Sequence, residues 1–171
     1  MSENKLNADE ANLSVDLSDA TQAVKENRFQ DAINLLKIIL KDNPENIDCL
    51  YLAAVSSRYL KHFEDSKKYI ESLLLNAPDM GRAYQELGHL NRDMGNEEKA
   101  IRHYRQACEH NPALIASWNS LYQYFLKDQN QAAADHALKQ LDTLKSLPGS
   151  LLYIHQILNE GRLGLAERKC R

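Results

Sequence analysis

The chain has 171 residues, with 21 Lys+Arg against 24 Asp+Glu and a formal net charge of −3. A content of 43% hydrophobic and 26% charged residues is that of a globular protein, and only 6 Gly and 4 Pro argue against an all-β sandwich or barrel, which needs many turn residues. The near-neutral balance gives no electrostatic footprint for nucleic acid, and no stretch approaches the roughly 18 apolar residues of a membrane span.

Taken in chain order, residues 1–12 are polar, carry no apolar period and no signal-peptide core, and are expected to be disordered. Helices are predicted at 14–26 and 29–42, the second from Ala32, Ile33, Leu35, Leu36, Ile39 and Leu40, which form one wide apolar stripe at helical spacing. Leu50, Ala53, Ala54 and Ser57 do the same for 47–60, and Ile70, Leu73 and Leu74 for 63–76. A helix at 81–94 is followed by one at 97–110, opened by Glu97 and Glu98, where negative charge meets the positive end of the helix dipole. Further helices are expected at 115–128, 131–146, 150–160 and from 163 onward.

These elements repeat. Pro44, Pro78 and Pro112 stand 34 residues apart, in the phrases KDNPEN, LNAPDM and EHNPAL. Ala32, Ser66, Ala100 and Ala134 keep the same step of 34. Two residue series on one period imply a two-helix unit that cannot bury its apolar face alone and stacks on its neighbours. The units run at about 13–46, 47–80, 81–114 and 115–148, with an incomplete one at 149–171.

The unit resembles the tetratricopeptide repeat, with its 34-residue period and W-x2-L-G-x2-Y…A-x3-F…P pattern. The clearest match is 81–114: Tyr84 stands at the Trp position, followed by Leu87, Gly88, Ala100, Tyr104 for Phe, and Pro112. The next unit has Trp118, Leu121, Tyr122 in place of Gly, Phe125, Ala134 and Leu138, with its closing proline displaced to Pro148. Unit 47–80 keeps Leu50, Ala53, Ala54, Ser66, Ile70 and Pro78; the first keeps Ala20, Ala32, Leu36 and Pro44; the last shows Gly161 and Ala166. The resemblance implies an all-α, right-handed superhelical solenoid of about five helix-turn-helix units. Small residues such as Ala54, Gly88 and Ala100 would let paired helices approach, while Tyr84, Trp118 and Tyr104 fill the gaps.

Catalytic or metal chemistry needs clustering, and the six histidines (His62, His89, His103, His110, His136 and His155) do not supply it. Cys49, Cys108 and Cys170 form no C-x-x-C pair, which fits reduced thiols in a cytoplasmic protein. Gly161 and Gly164 fall where a turn between helices is expected. No enzyme activity, cofactor or metal is expected of this chain. What remains is a surface. In tetratricopeptide arrays the first helices of successive units line a concave groove where partners bind. Carried over residue by residue, that groove holds Tyr51, Val55, Arg58 and Tyr59, then Arg82, Gln85, His89 and Arg92, then Asn119, Gln123 and Lys127. Arg and Tyr are enriched at binding hot spots, and an Arg fork can hold a carboxylate. The competing reading leaves these as ordinary solvent-facing residues, or pairs the cations with Asp48, Glu86 and Asp93.

The set of Lys, Asn and Arg side chains by which co-chaperones of this family clamp a chaperone tail is absent. Its places hold Leu17, Thr21 and Leu52, or Tyr51, Val55 and Glu86, or Gln85, His89 and Ser120, depending on the frame. The expected partner is a protein or peptide, with no nucleic acid and no membrane, and self-association into a homodimer is the competing reading. The terminal phrase LLYIHQILNEGRLGLAERKCR, after the register break at Pro148, is similar to the N-terminal repeat array of bacterial tetratricopeptide-repeat sulfotransferases. That resemblance implies a substrate-presenting or dimerising module, followed beyond Arg171 by a domain using 3′-phosphoadenosine 5′-phosphosulfate.

Overall fold

The computed structural model describes residues 16–159. Among them the chain forms nine helices and no strand: α1 (Leu17–Lys25), α2 (Phe29–Asp42), α3 (Ile47–Tyr59), α4 (Phe63–Asn76), α5 (Gly81–Asp93), α6 (Glu97–His110), α7 (Ile115–Lys127), α8 (Gln131–Lys145) and α9 (Gly149–Asn159). The first eight pack as four antiparallel pairs, and each pair leans on the next through α2 on α3, α4 on α5 and α6 on α7. The molecule is an all-α helical-repeat solenoid. The segments expected to be disordered (1–12) and to form a final helix (from 163) lie outside the described residues.

Helices α2, α4 and α6 have their expected bounds, whereas α1, α3, α5 and α7 each stop one residue early. The cause is a turn that repeats with the sequence. Asn27 (φ 59°), Lys61 (φ 61°), Gly95 (φ 78°) and Gln129 (φ 55°) are all left-handed, and all stand 34 residues apart. At each, the left-handed residue donates its N–H to the carbonyl of Val24, Arg58, Arg92 or Leu126. The following N–H, of Arg28, His62, Asn96 or Asn130, reaches back to Ala23, Ser57, Asn91 or Phe125. This is a Schellman ending, which satisfies the last carbonyls and reverses the chain within a pair. Gly95 alone among the four adopts that backbone without a Cβ penalty.

The core follows the stacking. One cluster joins Ala20, Ala23, Ala32, Ile33, Leu36, Cys49 and Ala53; a second joins Leu50, Ala54, Ile70, Leu73, Met80, Ala83 and Leu90; a third joins Ala100, Tyr104, Cys108, Leu121, Phe125, Ala134 and Ala137. Ala32, Ser66, Ala100 and Ala134 are all wholly buried, and Ser66 fits the small position because its Oγ donates to the Ala54 carbonyl at 2.9 Å. Gly88 permits the closest approach: a Cβ there would stand 2.5 Å from the Tyr104 ring. The polar ends of Tyr84 and Trp118 donate to the carbonyls of Pro78 and Pro112 at 3.0 and 2.9 Å, tying down the loop that precedes each helix. Leu50, at the corresponding place one unit earlier, has no such donor.

Regular stacking stops after the fourth pair. Gln156 in α9 donates to the Ala113 carbonyl at 2.8 Å and its own carbonyl accepts from Asn111 at 3.1 Å, so α9 is tied to the loop between α6 and α7 instead of lying along α8. The register break explains the change. Helix α8 runs 15 residues against 14 for α6, and Pro148 directly precedes α9, whereas Pro112 stands three positions ahead of α7.

Two substitutions test this account by urea unfolding. Gln129→Gly is expected to raise stability by about 0.5–1 kcal/mol, the relief of left-handed strain less the added freedom of unfolded Gly. Gly88→Ala is expected to lower it by about 1–3 kcal/mol, because the new methyl meets an aromatic ring that cannot retreat.

Candidate functional site

Helix α1 touches α3, α3 touches α5 and α5 touches α7, while the second helices of successive pairs barely meet. The first helices therefore form the inner row of the curve. On it the Arg82 guanidinium lies over the Tyr51 ring, 4.3 Å from its centroid, and Ser117 Oγ on α7 donates to Gln85 Oε1 on α5 at 3.0 Å. Such contacts between successive first helices hold the surface in one shape before any partner arrives. Asn119 and Gln123 are exposed on α7, and Val55 is half-buried on α3.

A chain of charges crosses from α3 to α5. Arg58 Nε donates to Glu86 Oε1, Arg58 Nη1 donates to Asp93 Oδ2 at 2.8 Å, and Arg92 Nε and Nη2 both donate to Asp93 Oδ1 at 3.0 and 2.9 Å. Arg58 is 7% exposed and Glu86 only 2%. Burial pushes the Glu86 carboxyl up, opposed by Arg58. Asp93, less buried, is held below its ordinary value by hydrogen bonds from Arg58 and Arg92 that outweigh its partial burial. The Arg58 guanidinium loses hydration, but its two carboxylates hold it firmly charged. Beside this chain, His89 Nδ1 lies 2.7 Å from the Tyr104 hydroxyl. Burial, then Arg58 and Arg92, lower its pKa to about 4, while burial raises that of Tyr104 to about 12. At neutral pH both groups are therefore uncharged, and the tautomer of the imidazole sets which of the two donates.

This arrangement sorts the residues expected in the groove. Tyr51 and Arg82 come together across α3 and α5, and Gln85 and Arg92 lie further along α5. Arg58 does not stand ready to grip a ligand: it lies inside, its fork already filled by Glu86 and Asp93, the competing arrangement named from sequence. His89 likewise turns inward to Tyr104. Tyr59 lies at the end of its helix, where its ring stacks on Phe29 with centroids 4.4 Å apart and planes 1° from parallel. Lys127 pairs with Glu97 at 2.7 Å. Sequence reasoning did not single out Phe29, Lys61 or Tyr124, although Lys61 shares the 34-residue phase of Gly95. It also did not anticipate a separate crevice of about 340 Å³ between α6, α7 and α8, walled by Trp118, Leu121, Phe125 and His136.

Among the described residues no three His, Cys, Asp or Glu side chains gather to hold a metal ion, and no helix is long and apolar enough to cross a membrane. Burial raises the Cys49 and Cys108 thiols to about 11 and 12, which removes them as nucleophiles at neutral pH.

Paired antiparallel helices stacked in one direction, with a continuous inner face, define a helical-repeat scaffold. One unit of it, residues 81–114, matches the tetratricopeptide repeat family. The chain is similar in fold to TTC0263, a thermophilic tetratricopeptide-repeat protein of Thermus thermophilus, at 21% identity and a TM-score of 0.64 over 90% of this chain and 85% of that one. It is also similar to MamA from Desulfovibrio magneticus RS-1, at 19% identity and a TM-score of 0.63 over 74% of this chain and 71% of that one. A chain of the Naa15/Naa10 complex bound to HypK-THB matches at 18% identity and a TM-score of 0.64, over 89% of this chain but 23% of its own length. At these identities the likeness is one of fold. Tetratricopeptide proteins are generally protein-interaction modules, and the sulfotransferase resemblance gains no support from these matches.

Removing one member of the buried pair should expose its nature. Arg58→Ala is expected to destabilise by about 3–5 kcal/mol, since Glu86 is left buried and unpaired, whereas Arg58→Met with Glu86→Leu should come close to wild type. His89 adds a pH dependence. Its folded-state pKa is depressed, so the unfolded chain binds the extra proton first and stability falls as pH drops from 6.5 toward 4. The loss reaches at most about 3 kcal/mol, and His89→Gln should flatten it in urea titrations across that range.

Proposed function

We propose that this chain is a protein-binding scaffold without catalysis of its own, which takes a peptide segment of its partner along the inner face of α3, α5 and α7. The observation that supports this reading is the pre-organised row of Tyr51, Arg82, Gln85, Arg92, Asn119 and Gln123. Contacts between neighbouring repeats brace its Tyr51–Arg82 and Gln85–Ser117 parts, so little side-chain freedom is lost there when a partner docks. Tyr and Arg supply large contact areas with directional donors, and Asn and Gln can pair with the backbone of an extended segment. A cytoplasmic setting suits the free, buried thiols of Cys49 and Cys108.

A peptide array probed with the wild-type chain and with an Asn119→Ala/Gln123→Ala variant tests the reading. Both residues are exposed, so the fold should survive. Binding is expected to weaken by about tenfold, the effect of losing contacts near a hot spot. Equal binding by both proteins would remove α7 from the site. Sedimentation at several concentrations addresses self-assembly: a dimer whose formation blocks peptide binding would favour that reading instead.

A further inference from the structure

At the edge of the inner row, where the first helices end, the repeat builds the same crevice twice. One, of about 420 Å³, is lined by Arg58, Tyr59, Lys61, Phe63, Arg92 and Asp93. The other, of about 300 Å³, is lined by Arg92, Gly95, Glu97, Gln123, Tyr124 and Lys127. Stepping 34 residues takes Arg58 to Arg92, Lys61 to Gly95, Phe63 to Glu97 and Asp93 to Lys127. The second crevice pairs its own lysine, because the Lys127 ammonium donates to both oxygens of the Glu97 carboxylate at 2.9 and 2.7 Å. In the first, Phe63 occupies the place of Glu97, and that carboxylate is missing.

The cations of the first crevice are left over in consequence. The Lys61 ammonium has no hydrogen-bond or ion-pair partner among the described residues. Arg92 spends Nε and Nη2 on Asp93, and its Nη1 makes no hydrogen bond there. Three cations (Arg58, Lys61 and Arg92) face two carboxylates (Glu86 and Asp93), so one positive charge is in excess. Asp93 is itself clamped by Arg58, which fixes the direction in which Arg92 presents its open edge.

We propose that this crevice receives the carboxylate of an acidic side chain from the bound peptide, held between Lys61 and Arg92. The proposal rests on the inner face being a protein-binding surface and names the chemistry of the partner there. The matched ligand is a carboxylate and not a phosphate. A phosphoserine brings about 1.5–2 negative charges and favours open arginine forks, whereas this site offers one excess charge and one free arginine edge.

The test is a displayed library of random peptides, with a parallel set carrying phosphoserine, selected on the wild-type chain and on Lys61→Gln. Lys61 is exposed at a turn, and a matching thermal melt confirms that the variant folds. Wild-type selection is expected to enrich Glu or Asp at one position. Exchanging that residue for Gln should weaken binding by about threefold to fivefold, less at high salt, and Lys61→Gln should abolish the difference. Acidic enrichment that survives Lys61→Gln overturns the proposal, as does enrichment of phosphoserine in its place. Selected peptides with no acidic position, still lost with Asn119→Ala/Gln123→Ala, overturn it and leave the inner-face reading standing. A library that yields no binder sinks both.

Discussion

Everything in this molecule depends on a backbone reversal that recurs at one phase of the repeat. At Asn27, Lys61, Gly95 and Gln129 the chain passes through the left-handed region and turns on paired backbone hydrogen bonds. That turn leaves the second helix antiparallel to the first, so small residues at fixed positions can meet: Ser66 against Ala54, and Gly88 against the Tyr104 ring. Backbone geometry sets the pair, and packing only has to complete it. Because three of the four turns place a Cβ where Gly would be easiest, the array holds its shape through packing and in spite of some local strain.

A second constraint links the units. Hydrophobic contact is non-directional and would tolerate some sliding of one pair over the next, but the chain from Glu86 through Arg58 and Asp93 to Arg92 has fixed donors and acceptors. A buried ion pair of this kind contributes little net stability against an apolar replacement, so its physical effect is better described as register. It draws α3 and α5 together at the end where the reversals lie. The same chain explains how a basic, aromatic surface can be nearly neutral: most of its cations already have carboxylates, and recognition is left to shape, amide groups and the few edges not engaged.

The fold was largely legible because its determinants are local and periodic. Prolines, small residues and apolar stripes each marked the 34-residue step, and the helix bounds followed to within a residue for most helices. The two departures have physical causes that periodicity does not carry. The early ends of α1, α3, α5 and α7 come from a dihedral angle, and at Asn27, Lys61 and Gln129 no glycine announced it. The diversion of α9 follows from an extra residue in α8 and a proline placed against the next helix, so that the loop of the earlier units could not form. The candidate site was less legible. Its first-helix positions could be counted, but whether an arginine there faces solvent or a buried glutamate depends on a residue in the neighbouring unit, 28 positions away for Arg58 and Glu86.

A repeat array also carries its own control. Positions at the centre of a pair stay small from unit to unit, as Ala32, Ser66, Ala100 and Ala134 do, whereas positions that line the crevices differ: Lys61 against Gly95, Phe63 against Glu97, Asp93 against Lys127. Since backbone and phase are shared, the contrast between two such crevices isolates the side chains. One contains a carboxylate that pairs its lysine. Its neighbour has exchanged that carboxylate for an aromatic ring while keeping the arginine and gaining a lysine. In a protein whose other inner-face cations are engaged, one excess positive charge at one crevice is a departure from the internal pattern. Its direction, toward an incoming negative charge, follows from Coulomb attraction alone.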